Sequence, residues 1–168
     1  KALSVSVVGE FNKYDGRVHL MERIEDTGVF ELFIPGLAAG CGYMYEIKRQ
    51  GKGTTRKLDP VSRQISSVPI TASVVSDENM PDSYAWNDGL WMIKRKKEAG
   101  KKKPVTVYEV SLTDWLKEKS ADELVDFVKQ EGYTHVCFLP VAEYLNEEMN
   151  GYSTLGYFTV THRIGGSD

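Results

Sequence analysis

Alternation of apolar and polar side chains gives the first reading of this chain. From residue 3 to about residue 76, short runs with a two-residue period (Ser4–Val8, Val29–Ile34, Tyr43–Lys48) are separated by turns such as Asp15-Gly16 and Pro35-Gly36. Evenly spaced short strands within fewer than ~100 residues predict a β-sandwich. From Ser76 to Pro104 the composition shifts to Asp, Asn and Pro, then to Lys94-Arg95-Lys96-Lys97 and Lys101-Lys102-Lys103, which predicts a linker with room for one short helix. Beyond Pro104 the period changes. Val105–Val110 and Thr134–Leu139 read as buried, β-branched strands. Between them, Ser120 and Glu123 form a capping box, Leu124, Phe127, Val128 and Glu131 keep helical spacing, and Gly132 closes the helix. This is a β-α-β unit, so the two strands are expected to be parallel with a right-handed crossover. One such unit cannot cover both faces of its own sheet, so more sheet is expected after Asp168, or another cover for the exposed faces.

Composition narrows the partners. Of the 168 residues 41% are apolar and 27% charged, as in ordinary globular proteins, and no apolar run is long enough to span a bilayer, so no membrane partner is expected. A net charge of −3 argues against a nucleic-acid partner, because phosphate binding leaves a positive excess; the expected ligand is neutral or small. The Lys94–Lys103 cluster reads as a solvated linker rather than a phosphate site. Cys41 and Cys137 lie in unrelated contexts and read as reduced thiols, which points to the cytoplasm. His19, His135 and His162 lack metal-ligand spacing, and neither a metal nor a cofactor is expected. Residue 1 is not Met and a strand pattern begins almost at once, so the sequence reads as an internal piece of a longer chain.

A succession of motifs then resembles one family. Val7-Val8-Gly9-Glu10-Phe11-Asn12-Lys13-Tyr14-Asp15-Gly16, followed by Met21, is similar to the entry of a glycogen-binding module, V-V-G-D-F-N-x-W-D. Gly28–Gly36, Tyr43–Ile47, Lys57-Leu58-Asp59-Pro60 and Thr71-Ala72-Ser73 resemble its later strands and closing segment. Trp86-Asn87-Asp88 with Trp91 resembles the W-x-D-x-x-W of a linker, and Val107–Leu112 with Trp115 a first barrel strand, Y-E-V-H-L-x-x-W. Thr134–Glu143, then Gly151-Tyr152-Ser153 with Gly156-Tyr157-Phe158, resemble the second barrel strand and the segment after it. Taken in order, these motifs resemble the N-terminal part of glycogen (1,4-α-glucan) branching enzymes of the α-amylase superfamily. Departures are Tyr14 for Trp, Ser111 for His, Tyr144 for His and Ser153 for Gln, and a Leu145–Asn150 loop without Pro-Phe-Asp-Gly-Ser-Trp.

The resemblance implies a mainly β architecture: an immunoglobulin-like β-sandwich over residues 1–76, a linker over 77–104, and an incomplete β/α-barrel portion over 105–168. The implied activity of the parent is retaining transglycosylation that leaves α-1,6 branches in an α-glucan, with the catalytic carboxylates on later strands beyond Asp168 and none here. The acidic loop with Glu147 and Glu148 reads as solvated. Candidate substrate-binding residues are Tyr14 and Asn12 in the first turn, Tyr152, which matches a sugar-stacking tyrosine, and Glu143, as support for its loop. Phe11, Trp86 and Trp91 read as core or seam aromatics ahead of sugar platforms, as large buried aromatics usually do, whereas Tyr14 fits either role. Asn12 equally fits a turn residue bonding its own backbone. Two alternatives remain at this point: a regulatory glycogen-binding module, or the start of a debranching or trehalose-forming enzyme. The strands after Pro104 weigh against the first, and the barrel-strand motifs lean against the second. The bare sheet portion is further expected to seek a partner, either the sandwich or another copy of the chain.

Overall fold

A computed structural model describes residues 1–66, 70–77 and 85–165; the linker residues 78–84 expected above lie outside the described residues. The chain divides into two compact units, Lys1–Asp77 with Pro140–Asp168, and Glu78–Leu139. The sequence pattern grouped residues 140–168 with the β-α-β unit, whereas in the folded chain they pack with the first 77 residues.

In the first unit β1 (Ala2–Gly9), β2 (Glu22–Ile24), β3 (Val29–Glu31), β4 (Gly42–Arg49), β5 (Gly53–Lys57), β6 (Ile65–Ser66) and β7 (Ala72–Val74) carry the β architecture. Antiparallel pairing runs β1-β4-β7-β6, with β5 also on β4, and β2 pairs with β3 as a separate hairpin. The register sets Val5 opposite Ile47, Val7 opposite Tyr45 and Gly9 opposite Tyr43. The other edge of β1 is met by the chain near Leu20, where Val7 N–H donates to His19 O and Met21 N–H to Val5 O. Being paired on both edges, β1 is buried from Val5 to Gly9. Val5, Val7, Val8, Ile65, Ala72 and Val74 form the core. Burial of such side chains contributes ~1.5–3 kcal/mol each.

A second hairpin completes this unit, β10 (Ala142–Tyr144) against β11 (Thr154–Val160). Contacts at Thr159 and Gly156 fasten it to the sandwich. Thr159 Oγ1 donates to Ser62 O at 2.7 Å, and Gly156 leaves no room for a Cβ, which would stand 2.6 Å from Ile65 Cδ1.

The other unit contains α1 (Gly89–Glu98), β8 (Val107–Val110), the single turn α2 (Leu112–Trp115), α3 (Ala121–Gln130) and β9 (His135–Phe138). β8 and β9 are parallel, as a β-α-β unit requires. The α3 boundaries follow the sequence signals. Ser120 Oγ accepts from Glu123 N–H at 3.2 Å, and Glu123 Oε2 accepts from Ser120 N–H at 2.7 Å. At the other end Gly132 takes φ +75°, the left-handed geometry that glycine tolerates best. Phe127 of α3 meets the Tyr108 ring of β8 at 5.1 Å and the Trp115 ring at 5.8 Å. Val107, Val136 and Phe138 remain exposed. The α1 helix buries none of its residues.

Candidate functional site

Two stretches of the first unit carry the sequence-predicted site residues, the turn after β1 and the β10–β11 hairpin. The first follows β1. Gly9 leads into a short 3-10 turn, Glu10–Asn12, after which Lys13 (φ +55°) and Tyr14 (φ +58°) both take left-handed backbone geometry. That geometry is unfavourable for a residue with a side chain, and two in succession must be held by their surroundings. The holding contacts are visible. Tyr14 N–H donates to Gly9 O at 2.9 Å, Arg56 Nη2 donates to Tyr14 O at 3.0 Å, and the Arg56 guanidinium sits 5.6 Å from the Tyr14 ring centre. Arg56 is itself oriented by Glu46, which accepts from its Nε at 3.1 Å. Arg56 and Glu46 face each other across β4 and β5, a register that the Tyr45–Lys57 ladder fixes.

Asn12 is buried beneath this turn. Its Oδ1 accepts from Gly9 N–H at 3.0 Å, its Nδ2 donates to Val7 O at 2.9 Å, and Nδ2 lies 2.9 Å from His19 Nδ1. The side chain thus satisfies the end of β1. Phe11 packs edge-on against His19, ring centres 5.4 Å apart. On the rim, Asp15 takes a bidentate contact from Arg17, whose hydrogen bonds lower the Asp15 carboxyl to about 2. Beside the turn, the closing segment is pinned by Asp59. Its Oδ2 accepts from Tyr43 Oη at 2.7 Å and Tyr45 Oη at 3.1 Å, and its N–H donates to Ser73 Oγ. Burial, then the Asp59 carboxylate, pushes the Tyr45 phenol up to about 12, and Tyr43 is raised by the same two causes.

The second loop joins β10 to β11. Tyr152 lies there with 64% of its surface exposed. It follows Gly151, whose φ of +84° and contact with Pro140 (3.2 Å from a built Cβ to the carbonyl) leave space for glycine alone. Glu143, by contrast, is 2% exposed. Its Oε1 accepts from Arg163 Nη1 at 2.7 Å and from Tyr144 N–H at 3.2 Å. Its Oε2 accepts from His162 N–H at 3.0 Å and lies 2.9 Å from His162 Nδ1. Burial opposes ionisation of Glu143, but the main-chain and side-chain contacts of His162 and the Tyr144 N–H outweigh it, and the carboxyl is lowered.

In the other unit Trp86 and Trp91 are both largely exposed, and Arg95 stands over the Trp91 ring at 5.4 Å. A cleft of about 290 Å³ opens by the end of β8, among Tyr108, Ser111, Asp114, Trp115 and Lys119. Arg56 and Glu46 escaped sequence reasoning because nothing in an alternating strand singles out which polar residues meet a turn 32 or 42 positions away.

Comparisons with known proteins bear on the unit that carries this turn and on the chain as a whole. Residues 1–62 match the family model of carbohydrate-binding module 48, the isoamylase N-terminal domain. The match accords with an immunoglobulin-like sandwich in this region. A protein of Nitrosococcus oceani named 1,4-alpha-glucan branching enzyme GlgB is 40% identical over an alignment that takes in 100% of this chain. The chain is related along its whole length to the 1,4-α-glucan branching enzymes. The enzymes of that name from Gloeobacter violaceus and Thiobacillus denitrificans are 40% and 42% identical over 98% and 99% of the chain. The chain spans only about a quarter of the length of these branching enzymes, 23% to 24%.

Proposed function

We propose that this chain is an α-glucan-binding portion of a 1,4-α-glucan branching enzyme, with Tyr14 as the platform on which a pyranose ring stacks. The observation that carries the reading is the Tyr14 turn itself: a left-handed backbone conformation that costs energy, maintained by Arg56 on a half-exposed aromatic ring. Arg56 closes one side of the ring, and Glu46, Asp15 and Arg17 supply donors and acceptors suited to sugar hydroxyls. Asn12 and Glu143 act from beneath, shaping the turns that present Tyr14 and Tyr152. In this assignment residues 1–76 are the carbohydrate-binding module, 77–104 the linker and 105–168 the beginning of the catalytic barrel, whose residues 140–168 pack with the first unit.

For the parent protein we propose the branching reaction: a carboxylate displaces an α-1,4 bond, and the 6-hydroxyl of another glucan chain takes the place of water. That chemistry needs two carboxyl groups about 5–5.5 Å apart and open to substrate. Glu143, closed off by Arg163 and His162, is not such a group, so the chain by itself is expected to bind and not to branch. A cytoplasmic setting fits the free thiols of Cys41 and Cys137. The exposed Val107, Val136 and Phe138 of the parallel pair support self-association wherever no other surface covers them.

Electrophoresis through a native gel containing glycogen tests the binding reading. The chain should be retarded, and Tyr14→Ala should run closer to its mobility in a glycogen-free gel. Equal retardation of parent and mutant would refute Tyr14 as the platform.

A further inference from the structure

Glu143 is a buried carboxylate that neither the proposed platform nor any catalytic step employs, and its contacts lead to Tyr152. We infer that Glu143 is the positioning residue for the Tyr152 loop, acting through Arg163 and Tyr144. Glu143 stands on β10 and binds the turn that follows β11: Arg163 Nη1 at 2.7 Å, His162 N–H at 3.0 Å and His162 Nδ1 at 2.9 Å. It thereby ties the start of the hairpin to a segment 19 to 20 positions later in sequence. Arg163 also reaches Thr161 Oγ1 at 3.3 Å; Thr161 is fully buried, and its N–H donates to Val141 O. The guanidinium so fixed lies 4.1 Å from the centre of the Tyr144 ring. Tyr144 is 3% exposed, and its Cδ1 stands 3.5 Å from the position a Cβ would take on Gly151. Gly151 is thus confined between Tyr144 and Pro140, and the next residue is Tyr152.

The ladder alone cannot do this. β10 is three residues long and its register with β11 shifts on both sides of Glu143, so regular pairing leaves the loop's origin underdetermined. A charged, fully engaged carboxylate supplies the missing constraint, since charge-assisted hydrogen bonds are shorter and about twice as strong as neutral ones. The Ser153 hydroxyl, beside Tyr152, is buried without a hydrogen-bond partner, so it adds no side-chain bond that would secure the loop there.

The functional consequence rests on the proposal that the chain binds glucan and on Tyr152 contacting it; the positioning itself does not. The test is fluorine NMR of the whole chain labelled with 3-fluorotyrosine, with Tyr152→Phe and Tyr144→Phe assigning two of the nine tyrosine signals. In Glu143→Gln the Tyr152 and Tyr144 signals should shift or broaden, while those of Tyr43 and Tyr45, bound to Asp59, stay in place. Arg163→Lys, which keeps the charge and loses the planar fork, should move the same pair by less; it also serves if Glu143→Gln does not fold. An unmoved Tyr152 signal in a folded variant overturns the inference. So does equal movement of all tyrosine signals, the signature of a general packing role. For glucan, Glu143→Gln should weaken retention by about three- to tenfold and add nothing in a Tyr152→Ala background, since residues acting through one another are non-additive. Full retention by Tyr152→Ala would sink the glucan role of Tyr152 alone, and the NMR outcome would still decide the positioning.

Discussion

Replacing Gly9 by alanine should damage both the stability and the Tyr14 turn, for a reason that lies in space rather than in backbone freedom. Gly9 is extended, with φ −170° and ψ −175°, a conformation open to any residue. A Cβ there would stand 2.4 Å from Gly42 O and 2.4 Å from Phe11 Cε1. The Phe11 ring can rotate away, but Gly42 O belongs to the strand that β1 pairs with, so β1 or β4 must shift at the Gly9–Tyr43 pair. Overpacking of this kind costs about 1–3 kcal/mol. For a unit of this size that lowers the melting temperature by about 4–24 °C. The same shift carries Gly9 O away from Tyr14 N–H, and Gly9 N–H away from Asn12 Oδ1, so glycogen retardation should fall too. Gly42→Ala is the control, because its Cβ would meet only Ala72 Cβ at 3.4 Å, an ordinary contact. It should be neutral or stabilise by about 0.4–1 kcal/mol through the unfolded chain. Calorimetry on both variants decides the matter. A Gly9→Ala protein that melts with the parent, or above Gly42→Ala, would refute the steric account.

Tyr14→Gly should melt at or slightly above the parent, because glycine relieves about 1 kcal/mol of left-handed strain, yet lose glycogen retardation; a lowered melting point with binding intact would reverse the assignment. Glu143 is depressed in the folded state, so its contribution is present above the ordinary carboxylate range and is lost as pH falls through its lowered value. Melting curves of parent and Glu143→Gln should therefore converge in acid, and a constant gap down to pH ~2 would contradict this. Tyr45, held near 12, and Tyr43, raised with it, gain protons on folding, so their contribution is complete below pH ~10 and lost as pH rises towards 12. Absorbance titration at alkaline pH should show Tyr43 and Tyr45 lagging until the protein unfolds. Ser120→Ala should cost about 1 kcal/mol through the lost cap of α3, read from urea unfolding followed by far-UV circular dichroism.

Legibility in the sequence followed local determinism. β1, β4 and α3 carry their own periodicity and caps, and the structure extends them by a residue or two at most. β5, with the sequence Gly-Thr-Thr-Arg-Lys and every residue exposed, has no apolar face to alternate; it exists because β4 offers a free edge. The β10 strand is too short and irregular to leave a period, and the burial of Glu143 depends on Arg163, far along the chain. Asn12 is readable in both directions, as sugar ligand or turn residue, and its three contacts are within seven positions of it. Tyr14 was visible as an aromatic in a turn, but its positive φ and the Arg56 clasp require the folded sheet.

The return of Pro140–Asp168 to the first unit has a consequence for synthesis on the ribosome. Ser62 O and Ile65 are translated early, and the Thr159 and Gly156 that cover them come only after all of Glu78–Leu139 has been made. At about 5–20 residues per second, the roughly 80 residues from Asp77 to Gly156 and Thr159 leave the nascent sandwich with a bare flank for roughly 4–16 s. Ribosome-bound chains ending before Pro140 should therefore be cut by protease around Ser62–Ile65, and chains extending well past Val160 should resist.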